Sequence, residues 1–408
     1  MTPATPSSTT LSDTLDDTAW MNPAERALFD RACALRPTFA ATEASTRAAR
    51  EVPAENIEAL RAANLFRILQ PKRFGGLQGR TRLFSRVVEE LTFGCSSTGW
   101  VYAVFGEHQW VIASFPEQAQ TDVWGENPDA VASSSVVPRA MARKVPGGFR
   151  LSGRYPFSSG CGHAPWAVVG AFCQTADGGK TQRFMLAPMT DLRQIDDWSV
   201  LGLEGTGSRS LLFEDVFIPE HRTVLLDDLM RGTPPGCAVH PDFPILRGPR
   251  GMYAPFSQPP VVLTLARRLL ALVTEMVKTR VSRAVTKVSD SEIAQLKLAE
   301  SAAEVELATR LFQWRRERAD ALIMSGEPIP PMEPLATRRD IGYAHRLVRN
   351  ATERLGELAG ASFVYDSSPL QPILRDIQVC LTHGIGNYEG SLVPYGRALL
   401  GLDAAVPA

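Results

Sequence analysis

Residues 154–166 read RYPFSSGCGHAPW. Tyr155 and Phe157 give way to Ser158, Ser159 and Gly160, and after Trp166 comes the apolar run Ala167-Val168-Val169. Aromatic and β-branched residues favour a pleated strand, and Ser-Ser-Gly interrupts one. The stretch therefore predicts strand, polar turn, strand. Such a turn offers backbone N–H groups and two hydroxyls to something flat lying against the aromatics. An ordinary hairpin end would read the same way, so the surrounding chain has to decide.

Outward from this turn, residues 130–219 hold short alternating runs, at 130–137, 149–155, 166–172, 183–187 and 211–218, broken by Gly, Pro or Asp. They predict a β domain, a small barrel or sandwich. On both sides the pattern is helical. Pro23 suits a first helical turn and opens an Ala/Leu/Arg-rich run to Arg50. Further helices are expected from Pro53, over 83–91, from Ser96 to Phe115, and from Pro116 to Asn127. Beyond residue 261 long amphipathic stripes follow: Val262, Leu265, Leu269, Val273; then Ile293, Leu296, Ala303, Leu307, Leu311, Trp314; then Ile341, Val348, Leu355, Leu358. A last helix is expected over 371–388. The expected layout is a mobile arm at 1–20, an α-helical domain at 21–128, a β-barrel at 129–225, a Gly/Pro-rich connection at 226–260 and a four-helix bundle at 261–408.

Bulk composition narrows the function. The chain has 408 residues, 44% hydrophobic and 21% charged, as in a globular protein. Lys+Arg is 43 against Asp+Glu 44, a balance that gives no support to nucleic-acid or membrane-surface binding. The six cysteines are scattered without a CxxC pair, which argues against a disulfide framework or a zinc site and suits a reducing cytoplasm. The Ser/Thr/Asp-rich start predicts no signal peptide, and no run is apolar enough to span a membrane. Neither a GxGxxG after a strand nor a Walker lysine loop is present, nor a GxSxG or HExxH motif; no metal site is expected.

A second stretch, WSVLGLEGTGSRSLLFEDVFIPEHR at 198–222, is a Gly-rich loop leading into an alternating strand that Pro219 ends. FSSGCGHAPW at 157–166, LGLEGTGSRSLLFEDVFIP at 201–219, PKRFGG at 71–76, the α-β-α order and Arg375-Asp376 in the last helix together resemble the acyl-CoA dehydrogenase fold superfamily. The resemblance runs from about Pro23 to Asp403. Dehydrogenases of that family carry a proton-abstracting Glu about two turns after the Arg-Asp pair. Counted from Arg375-Asp376, that position is Gly384, with His383 before it. This exchange, with FSSG and GTGS, is similar to the two-component flavin-dependent monooxygenases related to 4-hydroxyphenylacetate 3-hydroxylase and secosteroid phenol hydroxylase.

The resemblance implies reduced FAD or FMN as cofactor, O2 as co-substrate, a separate NAD(P)H-dependent flavin reductase, a homotetramer, and hydroxylation of a small phenol- or indole-type aromatic through a flavin C4a-hydroperoxide. By the same correspondence the flavin-binding residues are Phe157, Ser158, Ser159 and Trp166, with Ser158 or Ser159 accepting from flavin N5–H, and Arg280 and Arg283, reaching the flavin phosphates of a neighbouring subunit. His383 is the expected base or substrate anchor, histidine being the side chain that titrates near neutrality. His108 is a second expected catalytic group, and Trp100, Gly205, Ser208 and Asn387 complete the expected substrate site.

Each of these has a plainer reading. His383 would equally suit the polar edge of an amphipathic helix shared with Asp376, Cys380 and Asn387. His108 and Trp100 would suit the core, His163 a turn anchor, and Arg280 and Arg283 a helix C-terminus. His221, His240 and His345 are expected at the surface. Two other chemistries stay open. N- or S-oxygenation shares the same oxygen activation. An acyl-thioester dehydrogenase or oxidase would need Glu107 or Glu389 to supply the missing carboxylate.

Overall fold

The computed structural model describes residues 18–175, 177–281 and 287–404. The expected arm at 1–20 lies largely outside them, as does Arg283. The first helix, α1 (Pro23–Ala49), starts as its sequence dictates. Asn22 Oδ1 accepts from the N–H groups of Ala24 and Glu25 at 3.0 Å, Glu25 returns the bond to Asn22 N–H at 3.0 Å, and Pro23 fills the first turn. Then come α2 (Ala54–Ala62), α3 (Thr81–Gly94), α4 (Ser96–Ala113) and α5 (Glu117–Trp124). Every residue of α4 is buried, because the helix is apolar nearly all round and is enclosed by its neighbours. It is the wall on which the candidate site is built.

Among the described residues eight strands form the middle layer: β1 (Ala132–Ser135), β2 (Met141–Val145), β3 (Gly148–Ser158), β4 (Trp166–Gln174), β5 (Lys180–Pro188), β6 (Arg193–Ile195), β7 (Arg209–Pro219) and β8 (Thr223–Leu225). Their order is β6-β7-β3-β2-β4-β5-β8, with β1 parallel to β4. β2 joins the halves, antiparallel to β3 and parallel to β4. The expected barrel is thus a folded sheet. Its end strands, β6 and β8, do not pair with each other among the described residues; the halves close over a shared core of Leu151, Tyr155, Val169, Met185, Leu211 and Phe213. β2, β6 and β8 carry no clear apolar alternation, and they emerge only from the pairing.

The connection after β8 is ordered by contacts rather than by regular structure. Phe243, Leu246, Tyr253 and Phe256 are buried, and His240, expected at the surface, is buried with its ring against Gln120 Oε1 at 2.6 Å. His221, also expected at the surface, is half-buried and pairs with Asp122 at 2.8 Å.

The C-terminal layer contains α6 (Pro259–Thr279), α7 (Glu292–Met324), α8 (Met332–Ala359), α9 (Leu370–Cys380) and α10 (Tyr388–Leu399). Two expectations need correction here. On α7 the expected core stripe faces outward: Ile293, Leu296, Ala303, Leu307 and Trp314 are exposed, and only Leu311 is half-buried. The inward face is instead Val305, Ala308, Phe312, Ala319 and Ile323, flanked by a buried ion pair from Arg315 to Asp340 and Glu333 on α8. The last helix, expected unbroken over 371–388, stops at Cys380. Gly384–Gly386 forms a 3-10 turn, and Asn387 caps α10 by accepting from Gly390 N–H at 2.9 Å. Two glycines weaken helix and an Asn favours an N-cap, so the break has a local cause. Among the described residues no helix is long and apolar enough to cross a membrane.

The loop at 202–206 seats on α9. A Cβ at Gly202 would stand 2.5 Å from the Arg375 carbonyl. Gly202→Ala is therefore expected to destabilise the protein by about 2 kcal/mol through overpacking, read as a fall in melting temperature; an unchanged melting temperature would show that the loop can lift without penalty.

Candidate active site

A cavity of about 350 Å³ opens where the turn after β3, the loop before β7, helix α4 and the break after α9 meet. That size suits a flat multi-ring ligand or a small aromatic. Its walls include Trp100 and Val104 from α4, Pro156, Phe157 and Ser159 from the β3 turn, Trp198, Leu203, Thr206 and Ser208 from the loop, and Val379, Thr382 and His383 from the break. Among the described residues, no Asp or Glu lines it.

The β3 turn reaches the cavity through a bulge. Pairing with β7 slips between Tyr155 and Ser158, and Phe157 takes the left-handed conformation at φ 64°. That conformation is uncommon for a bulky residue. It leaves Phe157 63% exposed at the rim, edge-on to Trp198 with ring centres 6.0 Å apart. Gly160 follows at φ 69°, where a Cβ would stand 2.7 Å from the Phe105 ring, so both conformation and space call for glycine.

A line of hydrogen bonds crosses the cavity wall. The Trp100 indole N–H donates to Ser159 Oγ at 3.1 Å. Ser159 Oγ and Ser208 Oγ lie 2.7 Å apart, as do Ser208 Oγ and Thr206 Oγ1. Thr206 donates to the Leu203 carbonyl at 2.8 Å, and that carbonyl also receives the Trp198 indole N–H at 3.2 Å. Gly160 N–H donates to the Thr206 carbonyl at 2.8 Å and locks the turn to the loop.

His383 caps the 3-10 turn. Its Nδ1 accepts from Ile385 N–H at 3.4 Å, which leaves the proton of the neutral ring on Nε2. The ring stands edge-on to Trp100, centres 5.6 Å apart. Burial pushes its pKa below the ordinary value; Glu107 acts against that shift and Arg250 with it. The imidazole is therefore neutral near pH 7.

Of the residues expected at the site, Trp100, Phe157, Ser159, Ser208 and His383 converge on the cavity. The others do not. Ser158 is fully buried and donates to Ser133 Oγ at 2.9 Å, because the bulge turns its side chain into the sheet; the hydroxyl at the cavity is Ser159. His108 points to β1, its Nδ1–H donating to the Ala132 carbonyl at 2.6 Å. Trp166 lies outside the lining under the Arg222 guanidinium, 5.0 Å from the ring centre. Gly205 is buried against Thr46 and Ser97. Asn387 caps α10, and Arg280 donates to the Leu358 carbonyl at 2.6 Å at the end of α6. His163 anchors its turn on the Val52 carbonyl at 2.7 Å. His345, expected at the surface, is buried against Gly386.

Trp198, Gln258 and Thr382 line the cavity without having been expected there. Thr206 lines it as part of the Gly205–Ser208 loop that the sequence places at the pocket. Gln258 and Trp198 carry no local signal.

Neither candidate carboxylate reaches the lining. Glu107 is buried, with its Oε2 accepting from the Ser257 hydroxyl at 2.5 Å and Gln258 Nε2 at 3.3 Å, and Glu389 is exposed in the first turn of α10. A second buried carboxyl, that of Asp376, ties the elements around the cavity together. It accepts from Leu203 N–H at 2.6 Å and from Ser96 Oγ at 2.5 Å. Burial raises its pKa to about 6, against the lowering effect of those two bonds and of Arg47.

Residues 24–126 match the family model of the acyl-CoA dehydrogenase N-terminal domain, and residues 257–388 that of the C-terminal domain. The oxygenase subunit HsaA of a flavin-dependent monooxygenase from Rhodococcus jostii is 33% identical over 373 residues, covering 90% of this chain and 97% of the relative. The oxygenase component of p-hydroxyphenylacetate 3-hydroxylase from Acinetobacter baumannii is 34% identical over 372 residues, covering 90% and 87%. The structure of XiaF from Streptomyces, in complex with FADH2 and glycerol, superposes with a TM-score of 0.84 at 29% identity, covering 94% and 98%.

Asp376 makes stability depend on pH. Its folded pKa, about 6, lies above the ordinary 3.8. The folded chain then holds a proton that the unfolded chain has released, so this contribution is complete below pH ~4 and is lost as pH rises through ~6. The shift is worth up to roughly 3 kcal/mol. The stability of the wild type relative to Asp376→Asn should fall by that order between pH 4 and 7, measured by urea unfolding; a constant difference would show that Asp376 titrates normally.

Proposed function

Because the chain belongs to the acyl-CoA dehydrogenase family, and within it is a flavin-dependent monooxygenase, we propose that it is the oxygenase component of a two-component pair and hydroxylates a small phenol- or indole-type aromatic. A separate NAD(P)H-dependent reductase would supply the reduced FAD or FMN. One observation carries the reading: a neutral imidazole, His383, stands at a cavity whose lining, among the described residues, holds no carboxylate.

The residues present fit a reduced flavin. Trp100, Phe157 and Trp198 supply aromatic surface for a flat ring, and Ser159 Oγ lies at the cavity to accept a ring N–H. When bound, reduced flavin supplies two electrons and activates O2, one oxygen atom passing to substrate and the other leaving as water. The chain's part is to hold and shield. Val104, Val136, Val137 and Val379 keep the cavity apolar, which favours oxygen transfer over loss of peroxide to water.

His383 would meet the substrate hydroxyl. With its proton on Nε2, it would donate to the substrate oxygen, orient the ring and stabilise the phenolate once the phenol proton has passed to solvent, and that anion is richer at the ring carbon that receives oxygen. This geometry supports the anchor role over that of a full base. An acyl-thioester dehydrogenase lacks support, since Glu107 is engaged with Ser257 and Gln258, and Glu389 is exposed in α10. The exposed apolar row on α7, Ile293, Leu296, Leu307 and Trp314, supports self-association, and with it the proposed homotetramer.

The test supplies the protein with chemically reduced flavin, air and a panel of phenols and indoles, and measures hydroxylated product per O2 consumed. Wild type should form product carrying oxygen from labelled O2. His383→Ala should lower product yield on the order of 100-fold while O2 consumption continues with peroxide release. Undiminished yield in that variant would remove His383 from the reaction. Product formation from an acyl thioester would replace the reading altogether.

A further inference from the structure

The hydrogen-bond line from Trp100 to Leu203 can run in one direction only. Its first member, the Trp100 indole, has an N–H and no acceptor, so it donates to Ser159. Its last, the Leu203 carbonyl, has no proton, so the Thr206 hydroxyl 2.8 Å away must donate to it. A hydroxyl has a single proton. With that of Thr206 committed to Leu203, the 2.7 Å contact between Thr206 and Ser208 requires Ser208 to donate. The proton of Ser208 is then committed too, so the 2.7 Å contact between Ser208 and Ser159 requires Ser159 to donate. Ser159 is left at the cavity with a lone pair and no proton to offer. All three hydroxyls are buried, so water does not readily reverse the line.

We infer that Thr206 and Ser208 are positioning residues that make Ser159 solely an acceptor toward the cavity, and that this polarity selects reduced flavin over oxidised flavin. The inference rests on the flavin reading above. Reduced flavin carries an N–H at the central ring nitrogen, which an acceptor satisfies. Oxidised flavin presents a bare nitrogen lone pair there, which faces the Ser159 lone pair without a proton between them. A site of this polarity would take the reduced cofactor and let go of the oxidised one after turnover.

The test changes the far end of the line and reads the near end. Dissociation constants for oxidised FAD and FMN are measured by flavin fluorescence, and for the reduced forms by anaerobic equilibrium dialysis, with no substrate and no turnover. In the wild type the reduced form should bind at least about tenfold tighter. Thr206→Val removes the acceptor that holds the Ser208 proton. Ser208 can then donate to Ser159, whose own proton becomes free to turn to the cavity. The preference for reduced flavin should fall roughly tenfold, the weight of one hydrogen bond. Thr206→Ser keeps the hydroxyl and should keep the preference. Ser208→Ala breaks the line at the next member and should lower the preference in the same way, which decides the matter should Thr206→Val fail to fold. A preference unchanged in both line-breaking variants, or equally reduced in Thr206→Ser, would overturn the polarity assignment alone. Wild-type protein that binds neither form would overturn the flavin reading with it.

Discussion

One buried carboxyl, that of Asp376, takes the Leu203 N–H on one oxygen and the Ser96 hydroxyl on the other. Through these two bonds helix α9 holds the start of α4 and the loop before β7. Together with the turn after β3, those three elements enclose the cavity, so their mutual placement depends on this group. Leu203 passes the constraint on. Its N–H is bound to Asp376, while its carbonyl receives Thr206 and Trp198. The backbone there is left-handed at φ 54°, held against α9 by the close approach of Gly202 to Arg375. A carboxyl with no water around it is expensive to ionise, and the raised pKa of Asp376 expresses that.

The electrostatics of the cavity follow from what has been kept out of its lining. A proton-abstracting carboxylate beside a flavin suits carbon acids. Here the nearby acid Glu107 is satisfied by Ser257 and Gln258, and the titratable ring at the wall is an imidazole held neutral by burial. A neutral ring with its proton on Nε2 is a donor, suited to an oxygen-bearing aromatic. The lining also offers hydroxyls whose protons are already spoken for. Together these place a donor and an acceptor of set polarity at a cavity whose remaining polar lining includes Gln258, Thr382 and Arg139.

Where sequence reading went astray, the cause was non-local or a local rule overruled by a stronger one. Strand alternation alone cannot tell Ser158 from Ser159, since the bulge that turns them arises from the slip against β7. Cys380 to Asn387 reads as helix by spacing from Asp376, yet Gly384, Gly386 and the capping Asn387 break it. This moves His383 from a helix face to the head of a tight turn. The stripe on α7 has the right period for a core face, but Val305, Ala308, Phe312, Ala319 and Ile323 with paired charges fill the inner face instead.

By itself the sequence determined the α-β-α order, most helix starts, the two loops that meet at the cavity, and the lack of an acid two turns after Arg375-Asp376. These rest on local chemistry: caps, turn residues, periodicity and residue type at a counted position. Only the tertiary structure decided which hydroxyl faces the cavity, that His108 and Trp166 turn away from it, that Gln258 joins it, and which way the protons run between Trp100 and Leu203. Those outcomes depend on partners distant in the chain. A side chain's direction and its hydrogen-bond sense are settled by the group it meets, and that group is known only once the chain has folded.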